Sequence, residues 1–471
     1  MKRDKAELEN YLNDLFLKKK HPGVAVSVRG PEGVLFEKGF GYRNAEGDKP
    51  VDPDTVFGIA SMSKSMTALA CAILHAEKKL DLGDPMVKYF PNLHIPGAPD
   101  ECVTLRTIAM HRAGLPPLPP LEWSIAMNSV ERDSEWFRHM QKTAPNKMDK
   151  IEQIVDYITK GDYQVLGAPG EYMSYSNDGY ALLSYVVDQA AGISLEEFLD
   201  ERVFKPLGMT RTVLDLDAGE ARKIAGENMT SLFERDEETG ELICDDNWSV
   251  LPPFRGCACV KSTASDMTRY YKMLSDKGRW EGKQVIPEEA IEEMVGSRFP
   301  LSEKPFYCLG LEKSLMSGTI MCDHSGGLHG VSSRGGFLAG GYSAAVLCNE
   351  GDVSMEEFLW ACWNFILGLP LETRHKWAVP SGKTFSMEEA LFGDFLAEEG
   401  LPAHLIVHSE DGKLKGDYCG RKVDLLYCNE TVFRAVASDD PNTDVSIFEF
   451  YIRDGKAWAV RCGNRMYQRV E

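Results

Sequence analysis

The chain has 471 residues, enough for two domains or one large domain with an appendage. Its 43% hydrophobic and 26% charged content is ordinary for a soluble globular protein. The formal net charge of −20 argues against nucleic acid and anionic membrane surfaces as partners, and favours neutral or cationic ligands.

The charged start, Met1 to Glu7, leads into no apolar run, and no later stretch is long and apolar enough to span a bilayer. A chain with no signal peptide and no membrane segment is therefore expected. The 12 cysteines are scattered, without a Cys-x-x-Cys pair or zinc-ligand spacing. They are expected to be reduced thiols of a cytoplasmic protein, with no metal and no cofactor.

Residues 4–20 carry apolar side chains at helical spacing, and His21-Pro22-Gly23 breaks the pattern. Val24 to Val28 and Val34 to Tyr42 alternate as two strands of a hairpin. An extended approach, Thr55 to Ile59, then runs into a helix whose apolar residues are Met62, Met66, Leu69, Ala70, Ile73 and Leu74. Ser61 falls in its first turn, and Lys64 lies one turn later on the same side. A capped, solvated helix start is the plain alternative, but this helix is too apolar to be a surface one.

Thr104 to Pro116 reads as a short helix closed by a glycine cap at Gly114, with His111 a structural histidine. Residues 116–168 open on a proline-rich loop and continue as an irregular helical insertion. Tyr175-Ser176-Asn177 sits in a turn just before another helix. The acidic run Glu234 to Gly240 reads as a solvated hairpin or loop, and Ser262 to Asp266 caps a helix through Leu274. His324-Ser325-Gly326-Gly327 lies between apolar segments, the second of which, Gly336 to Asn349, reads as one buried strand. Proline and glycine mark a linker over residues 371–382. Beyond it, Asp411-Gly412 and Asp454-Gly455 turns join short alternating strands into a small antiparallel barrel.

Three elements carry chemistry in order: Ser61-x-x-Lys64, Tyr175-x-Asn177 and His324-x-Gly326. Serine is a poor nucleophile without an adjacent base, which Lys64 and Tyr175 together can supply. Asn177 offers an amide to orient Lys64 or a substrate. The Ser61 N–H is an orphan donor at a helix start, suited to a developing oxyanion. Each triplet alone is weak. Tyr11-Leu12-Asn13 and Tyr427-Cys428-Asn429 also fit the second pattern, but the first lies on a helix before Ser61 and the second in the terminal strand region.

Together with their flanks, including Pro169-Gly170 and Pro206 to Met209, the three motifs resemble the serine β-lactamase and penicillin-binding-protein superfamily over residues 10–365. The nearest likeness is to its class C-like branch of esterases and D-amino-acid peptidases. The resemblance implies a mixed α/β fold (α+β), with a central antiparallel sheet flanked by helices and a helical subdomain. The C-terminal barrel resembles the lipocalin-like domain appended to some peptidases of this branch, where it helps shape the cleft or an oligomer. The expected division is a hydrolase domain over residues 1–370, a linker over 371–382 and a barrel over 383–471.

The resemblance also makes Ser61, Lys64 and Tyr175 catalytic and makes Asn177, His324, Gly326 and Gly327 substrate-binding or orienting, the Gly327 N–H completing the oxyanion hole. Two departures stand out. His324 occupies a place where many relatives carry lysine, and a mostly neutral imidazole there weakens the case for β-lactams and other carboxylate-bearing substrates. His329 stands where relatives often have proline. The expected activity is a serine hydrolase acting through an acyl-enzyme on an amide or short peptide, with a D-amino acid beside the scissile bond as one form. A carboxylesterase is the alternative, ahead of a true β-lactamase or a silent binding protein with the barrel as its ligand site. A homo-oligomer stays open. His324 is expected to hydrogen-bond Tyr175 or the leaving group, with activity falling below about pH 6 as it charges.

Overall fold

The computed structural model describes residues 4–132, 134–236 and 239–470. Helix α1 (Lys5–Lys19) is capped by the Asp4 carboxylate, which accepts from Ala6 N–H, and buries Leu8, Leu12 and Leu15. Strands β1 (Gly23–Gly30) and β2 (Gly33–Gly41) form the expected hairpin. Helix α2 (Ser63–Ala76) follows, then α3 (Pro120–Asn128), α4 (Glu135–Thr143) and α5 (Ile151–Lys160), the helical insertion. Helix α6 (Asn177–Ala191) opens on a Ser176 cap, and α7 (Ala264–Ser275) on a Thr263 cap.

The remaining sheet strands are β3 (Phe306–Tyr307), β4 (Glu312–Met316), β5 (Thr319–Leu328), β6 (Val331–Leu338) and β7 (Tyr342–Cys348), after which comes α8 (Glu356–Leu367). They join the hairpin in one antiparallel sheet ordered β3-β4-β5-β6-β7-β1-β2. Both faces are covered, so β1 is buried along nearly its whole length instead of alternating between core and solvent. Val24, Val26 and Val28 pack with α1 and α8 in one core, while Ala25, Ala345 and Leu347 join α2 and α7 in the other. Among the described residues no helix is long and apolar enough to cross a membrane.

Two local readings need correction. The helix begun at Thr104 ends at Ala109, because His111 takes a left-handed conformation (φ 55°) before Gly114 is reached. Gly336 to Asn349 is not one strand. Gly340 and Gly341, both at positive φ, turn the chain from β6 into β7. The acidic run does lie on a hairpin, Phe233–Arg235 against Leu242–Cys244, although residues 237 and 238 fall outside the described residues.

Eight C-terminal strands close into a barrel: β8 (Gly393–Glu398), β9 (Pro402–Glu410), β10 (Lys413–Tyr418), β11 (Arg421–Asn429), β12 (Val432–Ala437), β13 (Asp444–Arg453), β14 (Lys456–Cys462) and β15 (Arg465–Val470). Strand β8 pairs with β15 to complete the ring. The interior is filled by Phe395, Leu405, Phe433, Phe448 and Phe450, with edge-to-face aromatic pairs across it. The chain leading into the barrel is strapped at both ends. Asn364 Nδ2 donates to the Leu371 and Thr373 carbonyls, and the Ser381 N–H donates to the Tyr427 carbonyl.

Candidate active site

Ser61 sits in a single 3₁₀ turn, Ala60–Met62, that feeds directly into α2. Ala60, just before it, is held at φ 44°, a left-handed conformation that costs an L-residue about 1–3 kcal/mol. The surroundings impose it. Ile59 N–H donates to the Val260 carbonyl, and Ser333 Oγ donates to the Ile59 carbonyl. Ser63 Oγ donates to the Ala60 carbonyl at 2.6 Å and accepts from Val260 N–H.

Residues 63–74 of α2 are all buried, so Lys64 is fully buried too. Its Nζ lies 3.0 Å from Ser61 Oγ and 3.2 Å from the Cys257 carbonyl, which accepts its second proton. The same nitrogen is 4.8 Å from the centroid of the Tyr175 ring. The Tyr175 hydroxyl is buried and makes no hydrogen bond among the described residues, leaving it available to a reacting group. Tyr175 is placed by its neighbours. Ser174 N–H donates to the His111 carbonyl and Ser176 N–H to His111 Nδ1, both at 3.0 Å. The His111 ring packs 4.2 Å from the Tyr175 ring, centroid to centroid. His111 therefore braces the site. Burial, with Lys64 nearby, pushes its pKa well below the usual range and keeps the imidazole neutral.

Strand β5 runs past the end of β4, whose pairing stops at Asp323, so residues 324–328 lack a neighbour on that side. This opening faces Ser61. A Cβ on Gly326 would meet the Ile59 carbonyl at 2.3 Å and the Ser61 nitrogen at 3.1 Å, so only glycine fits there. One residue on, a Cβ at Gly327 would meet nothing within 4 Å.

His324 does not bond Tyr175. Its Nδ1–H donates to the Ser325 carbonyl, and its Nε2 accepts from the Tyr307 hydroxyl at 2.9 Å. Burial first, and Lys64 second, push its pKa down to about 3. That direction argues against His324 as the source of the expected acid limb near pH 6. His329 faces the acidic hairpin, 3.0 Å from both Glu234 and Asp245.

Asn177, the first residue of α6, directs its Nδ2 neither to Lys64 nor to open space. It donates at 2.9 Å to Glu399, in the turn between β8 and β9 of the barrel. Arg465, at the start of β15, grips both Glu399 oxygens at 2.5 and 2.9 Å and stacks 4.4 Å over the Tyr175 ring. The Asn464 carbonyl accepts from Tyr175 N–H, and Met466 N–H donates to Ser174 Oγ. Reading residues by motif missed this barrel contribution, because two hairpin tips carry no periodicity. The one cue was the acidic Glu398-Glu399-Gly400 turn. Burial pushes Asp178 and Glu122 up to about 8, with Glu399 adding to both shifts, so both hold protons at neutral pH.

The family model described as Beta-lactamase matches residues 6–357. Among curated proteins, penicillin-binding protein 4* of Bacillus subtilis is 25% identical over 448 residues, covering 92% of each chain. The D-aminopeptidase of Gluconobacter oxydans is 25% identical over 409 residues, covering 85% of this chain and 68% of its own. Among solved structures, the octameric penicillin-binding protein homologue from Pyrococcus abyssi superimposes with a TM-score of 0.68 at 22% identity, covering 98% of this chain and 99% of its own. A serine and a lysine one turn apart under a buried tyrosine, matched by that family model over most of the chain, lead to one conclusion: this chain belongs to the beta-lactamase family.

Proposed function

We propose that the protein is a serine hydrolase that cleaves amide or short peptide bonds through an acyl-enzyme on Ser61. The observation that carries this reading is the 3.0 Å approach of Lys64 Nζ to Ser61 Oγ beside the unpartnered Tyr175 hydroxyl. Ser61 Oγ attacks the carbonyl carbon, and its proton passes to the Lys64–Tyr175 pair. The tetrahedral oxyanion is received by the N–H groups of Ser61 and Gly327, which need not reorganise as charge develops. The Tyr175 hydroxyl returns the proton to the leaving amine, and water later enters by the same route to free Ser61.

A D-amino acid beside the scissile bond is the preferred substrate form, and the likeness to a D-aminopeptidase supports it. The test is turnover of D- and L-alanyl p-nitroanilide, with a fluorophosphonate adduct mapped by mass spectrometry. Ser61 labelling and faster D-turnover are expected. An unlabelled Ser61 rejects the hydrolase, and faster L-turnover rejects the stereochemical preference.

A further inference from the structure

Glu399 is a carboxylate that the hydrolase core does not supply, set on donors that the core and the barrel build together. One oxygen accepts a hydrogen bond from Asn177 Nδ2, and both accept from the Arg465 guanidinium. Three N–H groups thus converge on one carboxylate, in the geometry by which arginine and an amide recognise carboxylate ligands. The side chains of Arg465 and Glu399 are 30% and 21% exposed, so the pair is open to solvent and is not sealed in a core. Tyr175 lies directly beneath Arg465, which places these donors next to the reacting atoms. The tip runs close to α3, where a Cβ on Gly400 (φ 126°) would stand 3.0 Å from the Glu122 side chain.

We propose that Glu399 is a built-in ligand of the active site. It fills an anion pocket formed by Asn177 and Arg465, and thereby bars substrates that bring a carboxylate to that position. This rests on the hydrolase reading above and names the substrates that reading excludes. A carboxylate arriving at the pocket meets like charge at contact distance and finds its donors already taken. A neutral or amino-bearing substrate meets no such repulsion. Removing the Glu399 carboxylate would leave a guanidinium and an amide aimed at an empty place, and the exclusion would reverse.

The test pairs two substrates of equal chain length and identical leaving group, p-nitrophenyl valerate and the p-nitrophenyl monoester of glutaric acid. The readout is the ratio of kcat/KM, anionic over neutral, in wild type, Glu399→Gln, Glu399→Ala and Glu399→Ala/Arg465→Ala. Fluorophosphonate labelling reports whether Ser61 is competent in each. The ratio is expected to rise at least about tenfold in Glu399→Ala, less in Glu399→Gln, and to return towards wild type in the double variant. An unchanged ratio in both single variants overturns the proposal, and so does a rise that survives loss of Arg465. A wild type that already prefers the anionic ester also overturns it. If the variants fail to fold, wild type alone still decides, because competitive inhibition of valerate hydrolysis by low-millimolar glutarate would show the pocket open. Failure of fluorophosphonate to label wild-type Ser61 would instead reject the hydrolase reading itself.

Discussion

The two walls of the cleft are built in different ways. On one side Ser61 and Lys64 stand a single helical turn apart on a buried helix, and their 3.0 Å contact needs little more than the local backbone. On the other side Glu399 and Arg465 arrive from two hairpin tips of a separate barrel, and Glu399 meets Asn177 across 222 positions of sequence. The first wall is set by short-range geometry. The second holds only while the barrel stays docked, through the Tyr175 to Asn464 and Met466 to Ser174 bonds. On the proposed function, chemistry falls to the wall fixed by short-range geometry and selection to the wall fixed by docking.

The largest expected effect falls on the first wall. Ser61→Ala should lower kcat by about 10⁴- to 10⁶-fold with the fold intact, measured as residual turnover of purified variant with an unchanged circular dichroism spectrum. Lys64→Ala and Tyr175→Phe should each come close to that, and the double variant should be little worse than either, because both act on one proton transfer. Additive losses would mean that the two side chains do not work as a unit.

Asp178 lies where the two walls meet, and its folded pKa of about 8 stands above the ordinary 3.8. A raised pKa means that the folded state holds the proton more tightly than the unfolded chain. Its contribution to stability is therefore full below about pH 4 and is lost as pH rises through about 8. Asp178→Asn should flatten the fall in melting temperature over that window and stabilise the protein at pH 8 by a few kcal/mol, roughly as the shift implies. Parallel melting curves for variant and wild type across that range would assign the slope to other groups.

A smaller contrast separates two adjacent glycines. Gly326→Ala should cost on the order of 1–3 kcal/mol, because its methyl would overlap the Ile59 carbonyl. Gly327→Ala should leave the melting temperature almost unchanged. Equal losses at the two positions would contradict the close packing of Gly326 on the Ser61 turn. The smallest effect is expected at His324. With its pKa pushed down to about 3, the imidazole stays neutral across the working range, so His324→Gln should leave the acid limb of the kcat/KM profile in place. A shifted limb would return His324 to the proton chemistry.

Ser61, Lys64, Tyr175 and Asn177 were legible as residues because their spacing is local and their chemistry restricts residue type. The barrel was legible because Asp411-Gly412 and Asp454-Gly455 supply the positive-φ pairs that tight hairpins require. What those groups touch was not legible. The Tyr307 to His324 bond depends on the register of β3 and β4 against β5, and the partner of Asn177 depends on how two folded units dock. The end of the helix at Ala109 was missed for a related reason, since His111 combines a left-handed backbone with a ring packed on Tyr175, a residue distant in sequence. Tertiary contact overrode a local glycine signal.

The closed, filled interior of the barrel has a consequence for change over generations. Its eight strands leave no unpaired edge and keep their own core of phenylalanines, so the strand framework is held by pairing and packing within the barrel. Residues 399–401 and 463–464 can therefore drift or be exchanged as a cassette while the strands beneath stay fixed. A lineage could retune what the enzyme accepts by rewriting a handful of codons far from the nucleophile, and laboratory libraries confined to those two turns would explore the same space.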